Sequence, residues 1–303
     1  MNVRRFLLWL LLFMALFPAF AEQTGVSTPI PVAATTPTII TSIRPLGLLA
    51  KAVVGQYAKV DILMETSFSA HHYSLTVSDR QNILSADIVL WVGDALETVL
   101  KKPLHQRQKT TIQAMKLSGI TWPDRQEHHH GPDEYHSDHD PHIWLNPLNN
   151  IVVIDALLKQ LSLDFPQYAD MYQHNANTLK QGLVNLDKRL QHTMLPLQER
   201  SFIVAHPAYS HFVERYNLQQ LAYITLTPER MVGARHLYRL RQQSRVRCVF
   251  QDYGIQSPSV KKLAKDLSVP LLRLDPLGFK SATLIQLIEQ LGIDFHHCLA
   301  ETR

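Results

Sequence analysis

Pro166–Met194 reads PQYADMYQHNANTLKQGLVNLDKRLQHTM, and its apolar positions decide the architecture. Tyr172, Ala176, Leu179, Leu183, Leu186, Leu190 and Met194 follow one another in steps of four and three. That spacing lays side chains along one stripe of an α-helix. A helix of about 28 residues would be ~42 Å long, longer than a small domain is wide. The stripe therefore predicts a rigid helix running along two halves of one molecule. Before it, Thr38–Ser42, Val60–Met64 and Ile88–Val92 are short β-branched runs, with helical patterns at Pro45–Val54 and Ser78–Ser85. A polar segment at Glu127–Asp140 interrupts them, and a helix from Pro147 to about Leu163 follows. After Pro196, strands are expected at Phe202–Ala205, Ala222–Leu226, Cys248–Gln251 and Leu271–Leu274. Helices are expected at Ala208–Tyr216, Gly233–Ser244, Ser257–Leu267 and Ala282–Leu291. Alternating strands and helices imply an α/β fold with parallel sheets. The expected division is an N-terminal α/β lobe over 38–165, the linker helix 166–194 and a C-terminal α/β lobe over 195–303. No internal sequence repeat is evident.

The chain has 303 residues, 46% of them hydrophobic and 18% charged, which is too apolar for intrinsic disorder. One stretch only, at the N-terminus, is long and apolar enough to suggest a membrane. Thirty Lys and Arg against 26 Asp and Glu give a net charge of +4, too even for nucleic-acid binding by phosphate neutralisation. Met1–Ala21 reads as a signal peptide: Arg4 and Arg5, an apolar core Phe6–Phe17, then the small-x-small site Ala19-Phe20-Ala21. Residues 22–37 read as a flexible leader. No cysteine follows the cleavage site, so a periplasmic protein that is not a lipoprotein is expected. Cys248 and Cys298 are the only two cysteines, and an oxidising compartment favours one disulfide across a loop of about fifty residues, worth ~3–4 kcal/mol. A metal pair formed by Cys298 with His296-His297 is the alternative.

Histidine is abundant at 16 residues, six of them between His128 and His142. His71 and His72 follow a strand, His142 lies in DPHIWLNP, His206 follows the strand FIVA, and Asp275 follows the strand LLRL. Ligands in α/β folds gather at such strand ends. Three imidazoles and one carboxylate suit tetrahedral zinc. The segment EHHHGPDEYHSDHDPH adds His128, His129, His130, His136 and His139 as weak, multivalent metal ligands, with His72 a further secondary candidate. Enzyme templates fit poorly, since HExxH, GxSxG, GxxxxGK and GxGxxG are all absent. A zinc hydrolase is the competing class, but Asp79, Asp94 and Asp252 form no acid/base pair by spacing. Ser210 and His211 read as helix-surface or packing residues.

The ordered motifs TSIRPLG, SAHHYSLTVSD, ADIVLWVG, DPHIWLNP, VAHPAYSHF, TPERMVGA, CVFQDYG and LDPLG resemble the zinc-uptake (ZnuA-like) substrate-binding proteins of ABC transporters, within the metal-receptor cluster (cluster A-I, or cluster 9). The resemblance covers the chain from about Thr38 onward. It implies two pseudo-symmetric α/β lobes joined by one long linker helix, with a metal between them. It implies His71, His142 and His206 as ligands and Asp275 as the fourth ligand, a place that water or a glutamate takes elsewhere in the family. It also implies a Cys248–Cys298 disulfide and a His-rich loop over 127–140. Ala70, His72, Pro207, His211, Val232 and Asp252 depart from the family pattern. The first pair leaves open whether His71 or His72 ligates. The implied function is capture of Zn²⁺ for delivery to a membrane permease with its cytoplasmic ATPase, by a monomeric receptor that binds no nucleic acid. Alternatives are a receptor for Mn²⁺ or Cu²⁺, or a zinc buffer or metallochaperone acting through the His-rich loop. Histidine at position 206, where manganese receptors carry Glu, favours zinc.

Overall fold

The computed structural model describes residues 36–65, 71–124, 140–225 and 232–300. The expected signal peptide, nearly all of the expected leader and histidines 128, 129, 130, 136 and 139 lie outside the described residues. Strands β1 (Thr38–Ile43), β2 (Lys59–Met64), β3 (Ile88–Trp91) and β4 (Thr110–Gln113) form one sheet in the order β2-β1-β3-β4. Strands β5 (Ser201–Val204), β6 (Gln219–Tyr223), β7 (Val246–Asp252) and β8 (Leu271–Leu274) form a second in the order β6-β5-β7-β8. Every pairing is parallel. The same order occurs twice without an evident sequence repeat, so the two-fold pseudo-symmetry lies in topology. Each order splits between its first and third strand, which opens a crevice at the carboxyl ends of the strands.

The first half also contains helices α1 (Arg44–Val54), α2 (Val77–Ser85), α3 (Lys101–His105) and α4 (Pro147–Asp164). The long helix α5 spans Ala169–Met194, 26 residues or ~39 Å. Pro166 opens a 3₁₀ turn over Pro166–Tyr168 before α-helical bonding begins. All seven residues of the expected stripe are buried, joined by Asp187. That stripe packs on α1 and α4 in the first half and on the C-terminal helix α9 (Leu284–Ala300) in the second. The remaining helices are α6 (Ser210–Arg215), α7 (Ala234–Arg241) and α8 (Pro258–Asp266).

Four elements depart from expectation. Strand β4 and helix α3 carry too few apolar residues to stand out in sequence. Strand β6 occupies Gln219–Tyr223 rather than Ala222–Leu226. Helix α9 continues to Ala300 because Phe295, Cys298 and Leu299 extend its buried face beyond Leu291. The disulfide joins Cys248 of β7 to Cys298 of α9 with Cα atoms 6.2 Å apart, so these sulfurs are not metal ligands. No described helix is long and apolar enough to cross a membrane. Two side chains of the first half hold the loop after β8. Arg44 donates to the carbonyls of Gly278 (2.9 Å) and Ser281 (2.8 Å), and Trp144 Nε1 donates to Pro276 O (2.7 Å).

Candidate metal centre

His71, His142 and His206 each offer a ring nitrogen to one cluster in which these atoms lie within 4.8 Å of one another. Ring centroids are 5.5 Å apart for His71–His142, 5.5 Å for His142–His206 and 6.1 Å for His71–His206. Each ring arrives by a different local device. Tyr73, two residues after His71, ties this stretch down by donating to Leu63 O (3.0 Å) and Asp79 Oδ2 (3.1 Å). Asp79 also closes a capping box with Thr76 that starts α2. His142 precedes a 3₁₀ turn, Ile143–Leu145, whose three side chains are buried, and Asn146 then caps α4 by accepting from Leu148 N (3.0 Å). His206 lies two residues beyond β5, in a turn where Ala208 N donates to His206 O (2.9 Å).

Carboxylates orient two of the three rings. Asp140 Oδ1 meets His142 Nδ1 at 2.7 Å and accepts from the His142 backbone N–H at 2.9 Å. Asp252 Oδ2 pairs with His206 Nδ1, and its Oδ1 accepts from the buried Tyr209 hydroxyl. With Nδ1 engaged in both rings, Nε2 is the atom that can ligate. His71 Nε2 is buried and has no hydrogen-bond partner among the described residues, as expected of an atom whose partner is an ion. Burial, then repulsion from His142, His206 and His72, holds the His71 imidazole down at about 3, so it is unprotonated at neutral pH. Burial raises the Asp140 carboxyl, but attraction from His142 with its hydrogen bonds and that of His211 outweigh this and hold it well below the usual range. The Tyr209 hydroxyl stays protonated because burial and the Asp252 charge push it far upward. Rings backed by carboxylates are the arrangement in which the outer groups fix the tautomer and raise ligand basicity.

His72 is exposed and stands outside this cluster. So does Asp275, whose carboxylate accepts from the backbone N–H groups of Gly278 (2.8 Å) and Lys280 (3.3 Å). Its burial raises the carboxyl, with those backbone donors opposing. His211, read as a packing or surface residue, is buried at the seam between the halves. Sequence reasoning missed Asp140 and Asp252 as partners of the histidines. The first was visible as the Asp two residues before His142, whereas the second requires knowing that β5 and β7 are neighbours.

A family model described as "Zinc-uptake complex component A periplasmic" matches residues 39–292. The high-affinity zinc uptake system protein of Yersinia pestis is 29% identical over 288 residues, covering 86% of this chain and 91% of that protein. The protein of the same name from Haemophilus ducreyi is 25% identical, covering 87% of this chain and 93% of its own. The structure described as a periplasmic zinc binding protein from Treponema pallidum has the same fold, with a TM-score of 0.77 at 17% identity, over 88% of this chain and 100% of that one.

Proposed function

The chain belongs to the family of periplasmic zinc-uptake complex component A proteins, and from that premise we propose that it holds its Zn²⁺ cargo through His71, His142 and His206. The family is one of solute-binding receptors rather than enzymes. The observation that carries the site is the convergence of three imidazoles, one of them with a buried Nε2 that has no hydrogen-bond partner among the described residues. Nitrogen ligands at this count suit Zn²⁺ better than the oxygen-seeking Mn²⁺. Water, or Asp275 after a rearrangement of its loop, completes a tetrahedral set. Residues 38–165 and 195–303 act as the two lobes about the helix 166–194. Metal passes to a membrane permease with its ATPase, and the receptor works as an unanchored monomer without nucleic acid, its signal peptide removed.

Competitive zinc titration against a chromophoric chelator tests the reading, on the mature protein and on a His142→Ala/His206→Ala variant. A tight one-to-one site is expected in the first and its loss in the second. Tight binding that survives the double change would sink the three-histidine site. It would move the zinc buffer reading, through the histidines between 128 and 139, to the front.

A further inference from the structure

Helix α6 belongs to the second half of the chain, yet its side chains hold the backbone on both flanks of residues 125–139. On one flank, Asp124 N–H donates to Glu214 Oε2 at 2.6 Å. On the other, His211 Nε2 lies 2.9 Å from Asp140 O. His211 and Glu214 are three residues apart and so share one face of a helix. The helix is itself fixed to α5. Arg215 grips both carboxylate oxygens of Asp187 through Nε and a terminal nitrogen, and Tyr216 donates to the same carboxylate at 3.2 Å. A bidentate guanidinium–carboxylate pair is the geometry that holds a direction as well as a distance.

Both ring nitrogens of His211 have partners. Its Nδ1 lies 3.3 Å from Asn149 Nδ2 and accepts from it. Asn149 is locked in turn, with Oδ1 accepting from Thr121 N (2.8 Å) and Nδ2 donating to Thr121 O (3.0 Å). The amide orientation therefore fixes the tautomer, leaving Nε2–H to donate to the Asp140 carbonyl. Trp122 covers the ring at 5.7 Å between centroids, and the side chain is 2% exposed. Burial lowers the affinity of this imidazole for a proton, so it is a neutral, directed donor. Two residues of backbone separate that contact from His142, and the Asp140 side chain spans the gap through Nδ1 of His142.

We propose that His211 is a positioning residue for His142: it holds the Asp140 backbone from the opposite half of the chain and thereby sets the carboxylate that orients the metal-facing ring. The proposal rests on the three-histidine reading for its consequence, but not for its geometry. Because the grip crosses the seam, the His142 ring is correctly aimed only while the two halves are in contact. A ligand that disengages when the halves part is a means of releasing cargo.

Two variants of the mature protein test this. His211→Phe keeps the aromatic packing on Trp122 and removes both hydrogen bonds, whereas His211→Gln retains an N–H donor for the Asp140 carbonyl. Zinc affinity by chelator competition and the ¹⁵N shifts of the His142 ring in metal-free protein are measured for each. Loss of an outer-shell partner predicts a 10–100-fold loss of affinity for the Phe variant. It also predicts a displaced His142 Nδ1 resonance and substantial recovery of both with Gln. Unchanged His142 shifts with affinity within twofold of wild type in His211→Phe would overturn the proposal, as would a folded Gln variant no better than Phe. Should the Phe variant not fold, Asn149→Ser releases the His211 ring from its fixed tautomer. The His142 shifts must then move, and their constancy overturns the proposal. A His142→Ala control separates the two claims: if it leaves zinc affinity intact, the three-histidine reading has failed, while the metal-free shifts still judge the role of His211.

Discussion

Glu97 is buried at 1% exposure between the ends of β1 and β3, where Ser42 Oγ, Val92 N and Gly93 N all donate to it. Burial pushes its carboxyl up to about 7, with those three donors opposing, from an ordinary value of 4.5. Folding therefore tightens its hold on a proton. The resulting stabilisation is full below pH 4.5 and is lost as pH rises through about 7. A displacement of that size corresponds to about 3 kcal/mol. Glu97→Gln removes the titration while keeping the shape. In urea unfolding of metal-free protein, the stability of wild type relative to Glu97→Gln should fall by about 3 kcal/mol between pH 4.5 and pH 8. An equal difference at both pH values would mean that the folded and unfolded states bind this proton alike. The same principle, burial deciding a charge, acts with the opposite sign on His71, where it keeps a base unprotonated for an ion.

Parallel strand order does what local sequence cannot. In the second sheet β5 and β7 are neighbours, with Val204 opposite Phe250, so the residues just beyond them fall side by side and His206 meets Asp252. Forty-six positions separate the two in sequence, and no motif spacing announces the pair. Asp252→Asn replaces a charged acceptor with a neutral amide and should lower zinc affinity by roughly 10–100-fold, as measured by chelator competition. A change under twofold would make Asp252 a support for Tyr209 alone. The contrast explains what was legible. The α5 stripe could be read because its burial is one-sided over 26 residues, so periodicity accumulates. His142 and His206 could be read because each has its own local motif. Strand β4 could not, since four residues with one buried side chain leave no pattern. The end of α9 was hidden because His296 and His297 are exposed polar residues placed between the buried Phe295 and Cys298. Which of His71 and His72 turns inward depends on the packing of Tyr73 against Leu63 and Asp79.

Polar contacts across the seam between the halves accompany a hydrophobic core that runs through both. Arg44 stands at the start of α1 and supplies two hydrogen bonds to the loop 276–281, while Trp144 supplies a third at Pro276. That loop is shaped from within by Asp275 and by Gly278, whose φ of +70° and close approach to Leu287 exclude a larger residue. The loop is therefore preformed, and Arg44 and Trp144 tie it to the first half. Arg44→Met keeps most of the side chain's length and apolar stem but removes both charge-assisted donors, each worth about 1.5–3 kcal/mol before solvent competes for them. Side-chain exposure of 19% at Arg44 allows water to replace part of this. The expected result is zinc release to a chelator faster by roughly tenfold, with raised amide exchange at residues 276–281 and little change in global unfolding. Unaltered release with raised exchange would mean that the loop opens without the metal site. In that case opening at the His211–Asp140 contact, on the other side of His142, would limit release instead.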